Sequence, residues 1–210
     1  TEALDALAAT GSVLMGTSHR QAPVKDLVGS VREGIADLFT LPDGHEVVLG
    51  VGGSHAFFDA ATFGLIRERS QHLVHGEFTG KFANAVAAAP FLTRPDVRES
   101  EFTTHPDPVA GSGIDTYAWA HNETSTGCLS RIAEIRMAID RTGHPALFMV
   151  DTISSLGSVD FRHDEWGVDV TVGCSQKGLM LPPGLGFNAV SDKALTVSKK
   201  ARLPKSYWSW

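Results

Sequence analysis

Residues 168–183 read Val-Asp-Val-Thr-Val-Gly-Cys-Ser-Gln-Lys-Gly-Leu-Met-Leu-Pro-Pro. The largely apolar run 168–174 predicts a buried strand, and the Gly- and Pro-containing segment after it predicts a loop. Lys177 lies at the start of that loop, so we expect its amine to be held in place and partly removed from water. Burial disfavours the charged ammonium and lowers the pKa of a lysine, as a nucleophilic or Schiff-base lysine requires.

A second apolar run, residues 146–150, predicts a buried parallel strand that ends at Asp151. Asp151 precedes Lys177 by 26 residues (177 − 151), and each residue follows the end of a predicted strand. This pair predicts a site for pyridoxal phosphate (PLP), in which Asp151 keeps the ring nitrogen protonated and Lys177 forms the Schiff base. On residue types alone, an ordinary surface lysine in a loop is the alternative.

Composition sets the class of protein. A chain of 210 residues with 42% hydrophobic content can bury the core of one domain, and its net charge of −6 with interspersed signs predicts no nucleic-acid partner. No apolar stretch reaches the length of a membrane span, and the start has no basic region typical of a signal peptide. Cys128 and Cys174 are isolated, which favours reduced thiols and a cytoplasmic location, with Cys174 as a small apolar residue rather than a nucleophile.

Periodicity along the chain predicts alternating helices and strands. Residues 1–10 are predicted to be helical and residues 11–23 to form a loop before an amphipathic helix. Strand 45–50 leads through Gly52-Gly53 to a helix with Ser54 as its N-cap. Further strands are predicted at 72–75, 97–102, 114–121 and 186–190, and further helices at 78–88, 129–139 and 192–201. This alternation predicts an α/β fold of three layers, a mostly parallel sheet with helices on both faces.

Ligands of such sheets bind beyond the carboxyl ends of the strands. The backbone N–H groups of Gly53, Ser54 and His55 lie at a predicted strand-to-helix turn and could bind a phosphate, although a plain capped helix fits the same residues. His72-x-x-His75 does not predict a metal site, because side chains at i and i+3 of a strand point to opposite faces.

Two families resemble the chain. The segments 151–157 (Asp-Thr-Ile-Ser-Ser-Leu-Gly), 173–178 and 182–186 resemble serine–glyoxylate and alanine–glyoxylate aminotransferases, which are fold-type I, class V PLP enzymes, and this likeness covers residues 122–210. The segments 16–23, 76–78 and 119–127 (Trp-Ala-His-Asn-Glu-Thr-Ser-Thr-Gly) resemble phosphoserine aminotransferases, and this likeness covers residues 1–127. The two likenesses meet at residues 122–127, so we interpret the chain as a hybrid, natural or engineered.

The resemblance implies a role for further residues. Phe78 matches an aromatic residue that stacks on the PLP ring, Thr124 a residue that hydrogen-bonds its phenolic oxygen, and Gln176 a residue that reaches its phosphate. A Phe packed at a helix start and a loop hydroxyl bonded to backbone are the alternatives for the first two. His19 and Arg20 match a pair that binds the phosphate of the substrate, and a solvated surface pair is the alternative.

The function implied is amino-group transfer from phosphoserine, or from serine or alanine, to a 2-oxo acid such as 2-oxoglutarate or glyoxylate. A catalytically silent PLP-binding scaffold and another class V reaction, such as a lyase, are the alternatives. The resemblance further implies that residues 1–210 form the PLP-binding large domain, aspartate aminotransferase-like, without the C-terminal small domain. It also implies a homodimer. We expect the aromatic tail 206–210 to lie at the dimer contact or to fold over the sheet, with a frayed terminus as the alternative.

Overall fold

The computed structural model describes residues 2–210, apart from the side chain of Ser12. Its six helices within this range are α1 (Glu2–Leu14), α2 (Ala22–Phe39), α3 (Ser54–Gly64), α4 (Glu77–Ala87), α5 (Ile132–Asp140) and α6 (Asp192–Lys200). Its strands are β1 (Glu46–Val51), β2 (Ser70–Val74), β3 (Asp96–Glu99), β4 (Thr116–Ala120), β5 (Asn122–Glu123), β6 (Cys128–Leu129), β7 (Leu147–Asp151), β8 (Val170–Cys174) and β9 (Leu185–Val190).

Seven strands form one sheet in the order β1-β9-β8-β7-β4-β2-β3. Strands β3, β2, β4, β7 and β8 are mutually parallel, whereas β9 is antiparallel to both of its neighbours, β8 and β1. The short strands β5 and β6 form a separate antiparallel hairpin. The predicted mostly parallel sheet is therefore confirmed, and β1, β2, β4, β7 and β8 all end at the same edge.

Helices cover both faces of this sheet. On one face, α3, α4 and α6 bury a cluster that includes Phe58, Phe82 and Leu195 against alternate residues of β4, β7 and β8. On the other face, α5 packs Ile132, Ile135 and Ile139 against β4 and β7, and α2 packs against β1 and β9. Because a parallel strand is buried on both faces, it is apolar almost throughout, as β7 (Leu-Phe-Met-Val-Asp) is.

The first helix is longer than predicted. α1 continues past Gly11 to Leu14, one turn into the predicted loop, and Met15 N–H still donates to the carbonyl of Gly11 at 3.1 Å. Glycine costs a helix only about 1 kcal/mol, which its neighbours can offset. Thr1, predicted to begin this helix, lies outside the described residues.

The aromatic tail folds over the sheet, as one of the two predicted arrangements has it. Trp210 stacks on Phe57 of α3 with ring centroids 6.3 Å apart, and Trp208 contributes to the same groove over β1, β8 and β9. Tyr207 packs edge-on against Trp208 at 5.1 Å and stays exposed. Among residues 2–210, no helix combines the length and the apolar character needed to cross a membrane.

Candidate active site

A cavity of about 480 Å³ lies at the edge where the parallel strands end. Residues that follow β1, β2, β4, β7 and β8 line it, together with the first turn of α3. All eight residues predicted to hold a cofactor are among its lining residues: Gly53, Ser54, His55, Phe78, Thr124, Asp151, Gln176 and Lys177. The structure thus brings together side chains that are up to 124 residues apart in the chain (177 − 53).

The first turn of α3 forms one end of the cavity. Gly52 turns the chain with φ of +75°, a conformation that favours glycine, and α3 begins directly after Gly53. The first N–H groups of an α-helix have no acceptor within the helix, so they can bind an anion there. A Cβ at Gly53 would lie 3.7 Å from Nε2 of Gln176, so the amide of Gln176 faces the same end of the cavity.

Ser54 was predicted as the N-cap of α3, and this prediction is wrong. Gly53 occupies the N-cap position, and no side chain caps the helix there. Ser54 instead donates a hydrogen bond to the carboxyl group of Asp151, which lowers the pKa of Asp151. Sequence could not show this contact, because it joins the turn after β1 to the end of β7.

Asp151 forms the floor of the cavity at the end of β7. Burial raises the pKa of Asp151 to about 6, against the hydrogen bonds from Ile153 N–H and Ser54 and the nearby charge of Lys177, all of which lower it; the charge of Glu123 raises it further. Ile153 N–H donates to Oδ1 at 2.8 Å and fixes the orientation of the carboxyl group. A half-buried carboxyl group in this position is suited to pair with a cation that arrives with a ligand.

Lys177 projects from a loop whose backbone is well held. Met180 N–H donates to the carbonyl of Lys177 at 2.9 Å, and Ser175 Oγ donates to the carbonyl of Pro182 at 2.7 Å. The expectation that Lys177 is partly removed from water is wrong, because its side chain is exposed at the open side of the cavity. The loop after β8 continues to Met180, which is 89% exposed.

Phe78 forms a side wall at the start of α4. The ammonium of Lys81, one turn along the helix, lies 5.2 Å from the centroid of the Phe78 ring and also pairs with Glu77. A cation over an aromatic face is attracted by the ring quadrupole and steadies the ring. Lys81 was missed from the sequence, although its i+3 spacing from Phe78 on a predicted helix is a signal that could have found it.

Thr124 lies on the loop between β5 and β6, between Glu123 and Ser125, whose side chains make hydrogen bonds away from the cavity. Glu123 is fully buried and accepts hydrogen bonds from the start of α4, while Ser125 donates to Glu123 from both its backbone and its hydroxyl. Glu123 was also missed from the sequence, because its partner in α4, Thr79, lies 44 residues away. The loop that carries Thr124 is therefore tied to the helix that carries Phe78.

His19 and Arg20 are not brought to this cavity. Both are exposed in the connection between α1 and α2, and neither is among the residues that line it. Their assignment to substrate binding stays a prediction. Within residues 2–210 there is no group of three His, Cys, Asp or Glu side chains arranged to hold a metal ion.

The lining residues fit PLP. The helix start offers N–H donors for a phosphate, Asp151 a carboxylate for the ring nitrogen, Phe78 an aromatic face for the ring, and Lys177 an amine for the aldehyde. Gly53 leaves room at the phosphate end that a larger side chain would fill, because its Cβ would already contact Ile153 and Gln176.

Comparison with known proteins places the chain in a family. The model of the aminotransferase class-V family matches residues 3–203. A phosphoserine aminotransferase from Nocardioides is 54% identical over 197 residues, which are 93% of this chain and 51% of that protein. The chain therefore spans about half the length of the curated relatives it matches.

Solved structures share the fold. A phosphoserine aminotransferase from Cytophaga hutchinsonii superposes with a TM-score of 0.81 at 25% identity, over 93% of this chain and 53% of that one. An aspartate aminotransferase from Thermus thermophilus superposes with a TM-score of 0.81 at 26% identity, over 99% and 57%. An alanine–glyoxylate aminotransferase from Nostoc shares the fold with a TM-score of 0.73 at 20% identity, over 92% and 52%. The predicted aspartate aminotransferase-like fold is confirmed.

The match to the Nocardioides protein bears on the predicted hybrid. An alignment of 197 out of 210 residues extends across residues 122–127, where the two resemblances meet. One relative thus accounts for both parts of the chain, so a hybrid origin is not needed to explain the sequence.

Proposed function

The chain belongs to the class-V aminotransferase family, and on that basis we propose that it forms the cofactor-binding part of a PLP-dependent aminotransferase. The observation that carries the proposal is the single cavity that joins Lys177, Asp151 and the start of α3. When bound, PLP supplies an electron-withdrawing ring that stabilises negative charge at the carbon bearing the amino group.

Each lining residue has a task in this proposal. The start of α3 and Gln176 bind the phosphate, Phe78 stacks on the ring, and Thr124 binds the phenolic oxygen. Asp151 holds a proton at the ring nitrogen. Lys177 provides the amine to which the cofactor attaches, and its Nζ then carries the proton that leaves and returns during amino transfer.

Phosphoserine is the amino donor that we propose, with 2-oxoglutarate as acceptor. The 54% identical relative is named a phosphoserine aminotransferase. In this proposal the exposed pair His19 and Arg20 binds the phosphate of the substrate, because it offers a cation and hydrogen-bond donors. The pair would have to approach the cavity, which it does not line in this structure. Serine or alanine with glyoxylate is the competing pair.

We also propose a cytoplasmic homodimer. Cys128 and Cys174 are free thiols in the structure, which suits a reducing compartment. Helix α1 leaves Leu4, Leu7 and Val13 exposed by 67, 54 and 70%, an apolar surface of the kind that marks an interface. Sedimentation at micromolar concentration is expected to give a dimer that Leu4→Lys with Leu7→Lys converts to a monomer, and a parent chain that sediments as a monomer contradicts this proposal.

A half-reaction tests the enzymatic proposal. The chain is saturated with PLP, and L-phosphoserine, L-serine and L-alanine are added in turn without an acceptor. We expect L-phosphoserine to bleach the visible band of the bound cofactor and to yield the corresponding 2-oxo acid, and Lys177→Ala to abolish both effects. Bleaching by alanine or serine alone would transfer the donor assignment to the competing pair. Bound PLP that no donor bleaches would show a binding domain without transaminase activity.

A further inference from the structure

Glu123 connects two walls of the cavity. Its Oε2 accepts hydrogen bonds from Thr79 N–H at 2.9 Å and Thr79 Oγ1 at 3.0 Å, and its Oε1 accepts from Ser125 N–H at 3.1 Å and Ser125 Oγ at 2.9 Å. Phe78 N–H points to the same Oε1 at 3.4 Å. One carboxylate therefore joins the first turn of α4 to the loop between β5 and β6.

The charge of this carboxylate is matched to its surroundings. Burial raises the pKa of Glu123, but the hydrogen bonds from Thr79 and Ser125 more than offset this effect, so that its pKa lies below the ordinary value. The ionised form has only acceptors to offer, and all of its partners are donors. Its position at the start of α4 also places negative charge at the positive end of the helix dipole.

The turn before α4 and the loop between β5 and β6 pack closely against each other. A Cβ at Gly76 would overlap the Cγ of Glu123 and would lie 2.6 Å from the Oγ of Ser125. Ser125 Oγ also accepts from Glu77 N–H at 2.8 Å. The turn before α4 and the loop after β5 are therefore in direct contact, and Glu123 fills the space between them.

The two segments carry cavity residues directly beside these contacts. Phe78 precedes Thr79 in α4, and Thr124 lies between Glu123 and Ser125 in the loop. Both Phe78 and Thr124 line the cavity, whereas the Glu123 carboxylate itself does not. Displacing Glu123 would therefore move Phe78 and Thr124 relative to each other.

We propose that Glu123 is a positioning residue of the cofactor site: its carboxylate sets the distance between Phe78 and Thr124 and so prepares the cavity for the ring before the cofactor binds. The proposal rests on the proposed function for the identity of the cofactor, but its structural part concerns the chain without cofactor.

Glu123→Gln tests it with little change in shape. A glutamine side chain presents an NH₂ group, which cannot accept a hydrogen bond, to either the Thr79 pair or the Ser125 pair. We expect the Kd for PLP to rise on the order of tenfold or more, which corresponds to the loss of charge-assisted hydrogen bonds at one oxygen. In the cofactor-free chain, we expect faster hydrogen exchange at the amides of Thr79 and Ser125.

Asp115→Asn is the matched control. Asp115 is also a buried carboxylate that accepts from backbone N–H groups, those of Arg67, Glu68 and Arg69, but it precedes β4 at the opposite edge of the sheet. We expect this variant to lose stability in urea and to show faster exchange near residues 67–69, with an unchanged Kd for PLP. If Glu123 only stabilised the fold, Glu123→Gln and Asp115→Asn would have the same Kd for PLP when both are fully folded.

The test remains decisive if Glu123→Gln does not fold or if the parent chain does not bind PLP. If Glu123→Gln does not fold, Ser125→Ala removes the two contacts of one hydroxyl, and the expected result is a smaller rise in Kd with faster exchange at Glu77. If the parent chain does not bind PLP, the proposed function fails, while the exchange data still decide whether Glu123 orders the two walls. Unchanged exchange at Thr79 and Ser125 in a folded Glu123→Gln protein would overturn the proposal.

Discussion

The carboxylate of Asp151 lowers the stability of the folded chain, although the proposed function needs it to bind the cofactor. Its pKa is raised from the ordinary value of 3.8 to about 6, chiefly by burial, so the folded chain holds the proton more tightly than the unfolded chain does. The ionised carboxylate therefore costs stability. The cost is complete above about pH 6 and is lost as the pH falls below the unfolded value of 3.8.

Asp151→Asn is expected to stabilise the cofactor-free chain at pH 8 by on the order of 2 kcal/mol, since it removes the partly desolvated charge and keeps an acceptor for Ile153 N–H. The gain is expected to shrink towards zero at about pH 4, and the same variant is expected to bind PLP more weakly. Urea unfolding at both pH values measures the gain, with Asp59→Asn on the exposed side of α3 as the control. A variant that is less stable than the parent at pH 8 would contradict the assignment of this cost to Asp151.

Some residues of the candidate site could be predicted from the sequence and others could not. Asp151 and Lys177 were predictable because a strand in a parallel sheet delivers the residue that follows it to a known edge. Glu123 and the true partner of Ser54 were not, because their contacts join segments distant in the chain. The exposure of Lys177 was missed, because neighbours in sequence do not show what covers a loop.

Among the elements, β8 and β9 approach each other closely behind the loop of Lys177. A Cβ at Gly173 of β8 would overlap the ring of Phe187 on β9, and this ring is fully buried against Phe39 of α2. The antiparallel direction of β9 was not predicted, because an apolar strand has the same pattern in either direction. The contact with Gly173 is a consequence of that pairing.

Gly173→Ala is expected to destabilise the chain by about 1–3 kcal/mol, because the Phe187 ring must leave its position in a packed core. Gly34→Ala is the matched control, since nothing lies within 4 Å of a Cβ there, and we expect it to stabilise α2 by about 0.5–1 kcal/mol. Urea unfolding measures both. Partial rescue of Gly173→Ala by Phe187→Leu would identify the ring as the cause, and two variants of equal stability would contradict this packing.

At the scale of the whole molecule, the tail lines one side of a groove over β1, β8 and β9. Trp210 packs against the core cluster next to Phe57, whereas Tyr207 is 72% exposed. The sequence predicted that the aromatic tail would fold over the sheet or lie at a dimer contact, and left a frayed terminus as the alternative. Only the assembled sheet shows which groove it enters.

Trp210→Ala is expected to lower the free energy of unfolding by about 1–3 kcal/mol, because a large half-buried ring and its stacking on Phe57 are lost. Tyr207→Ala is the control, and as an exposed change it is expected to stay within about 0.5 kcal/mol of the parent. Thermal unfolding of both variants at one protein concentration provides the comparison. Equal effects of the two substitutions would mean that the tail does not pack on α3.

Attachment of the cofactor to Lys177 is the claim on which the account of this molecule depends. Borohydride reduction of the chain with one equivalent of PLP, followed by protease digestion and mass analysis of the peptides, identifies the lysine that carries the pyridoxyl group. We predict that the label lies on Lys177 and that Lys177→Ala remains unlabelled while keeping the parent's unfolding curve. Label on Lys81 beside Phe78, on any other lysine, or on none would contradict the account.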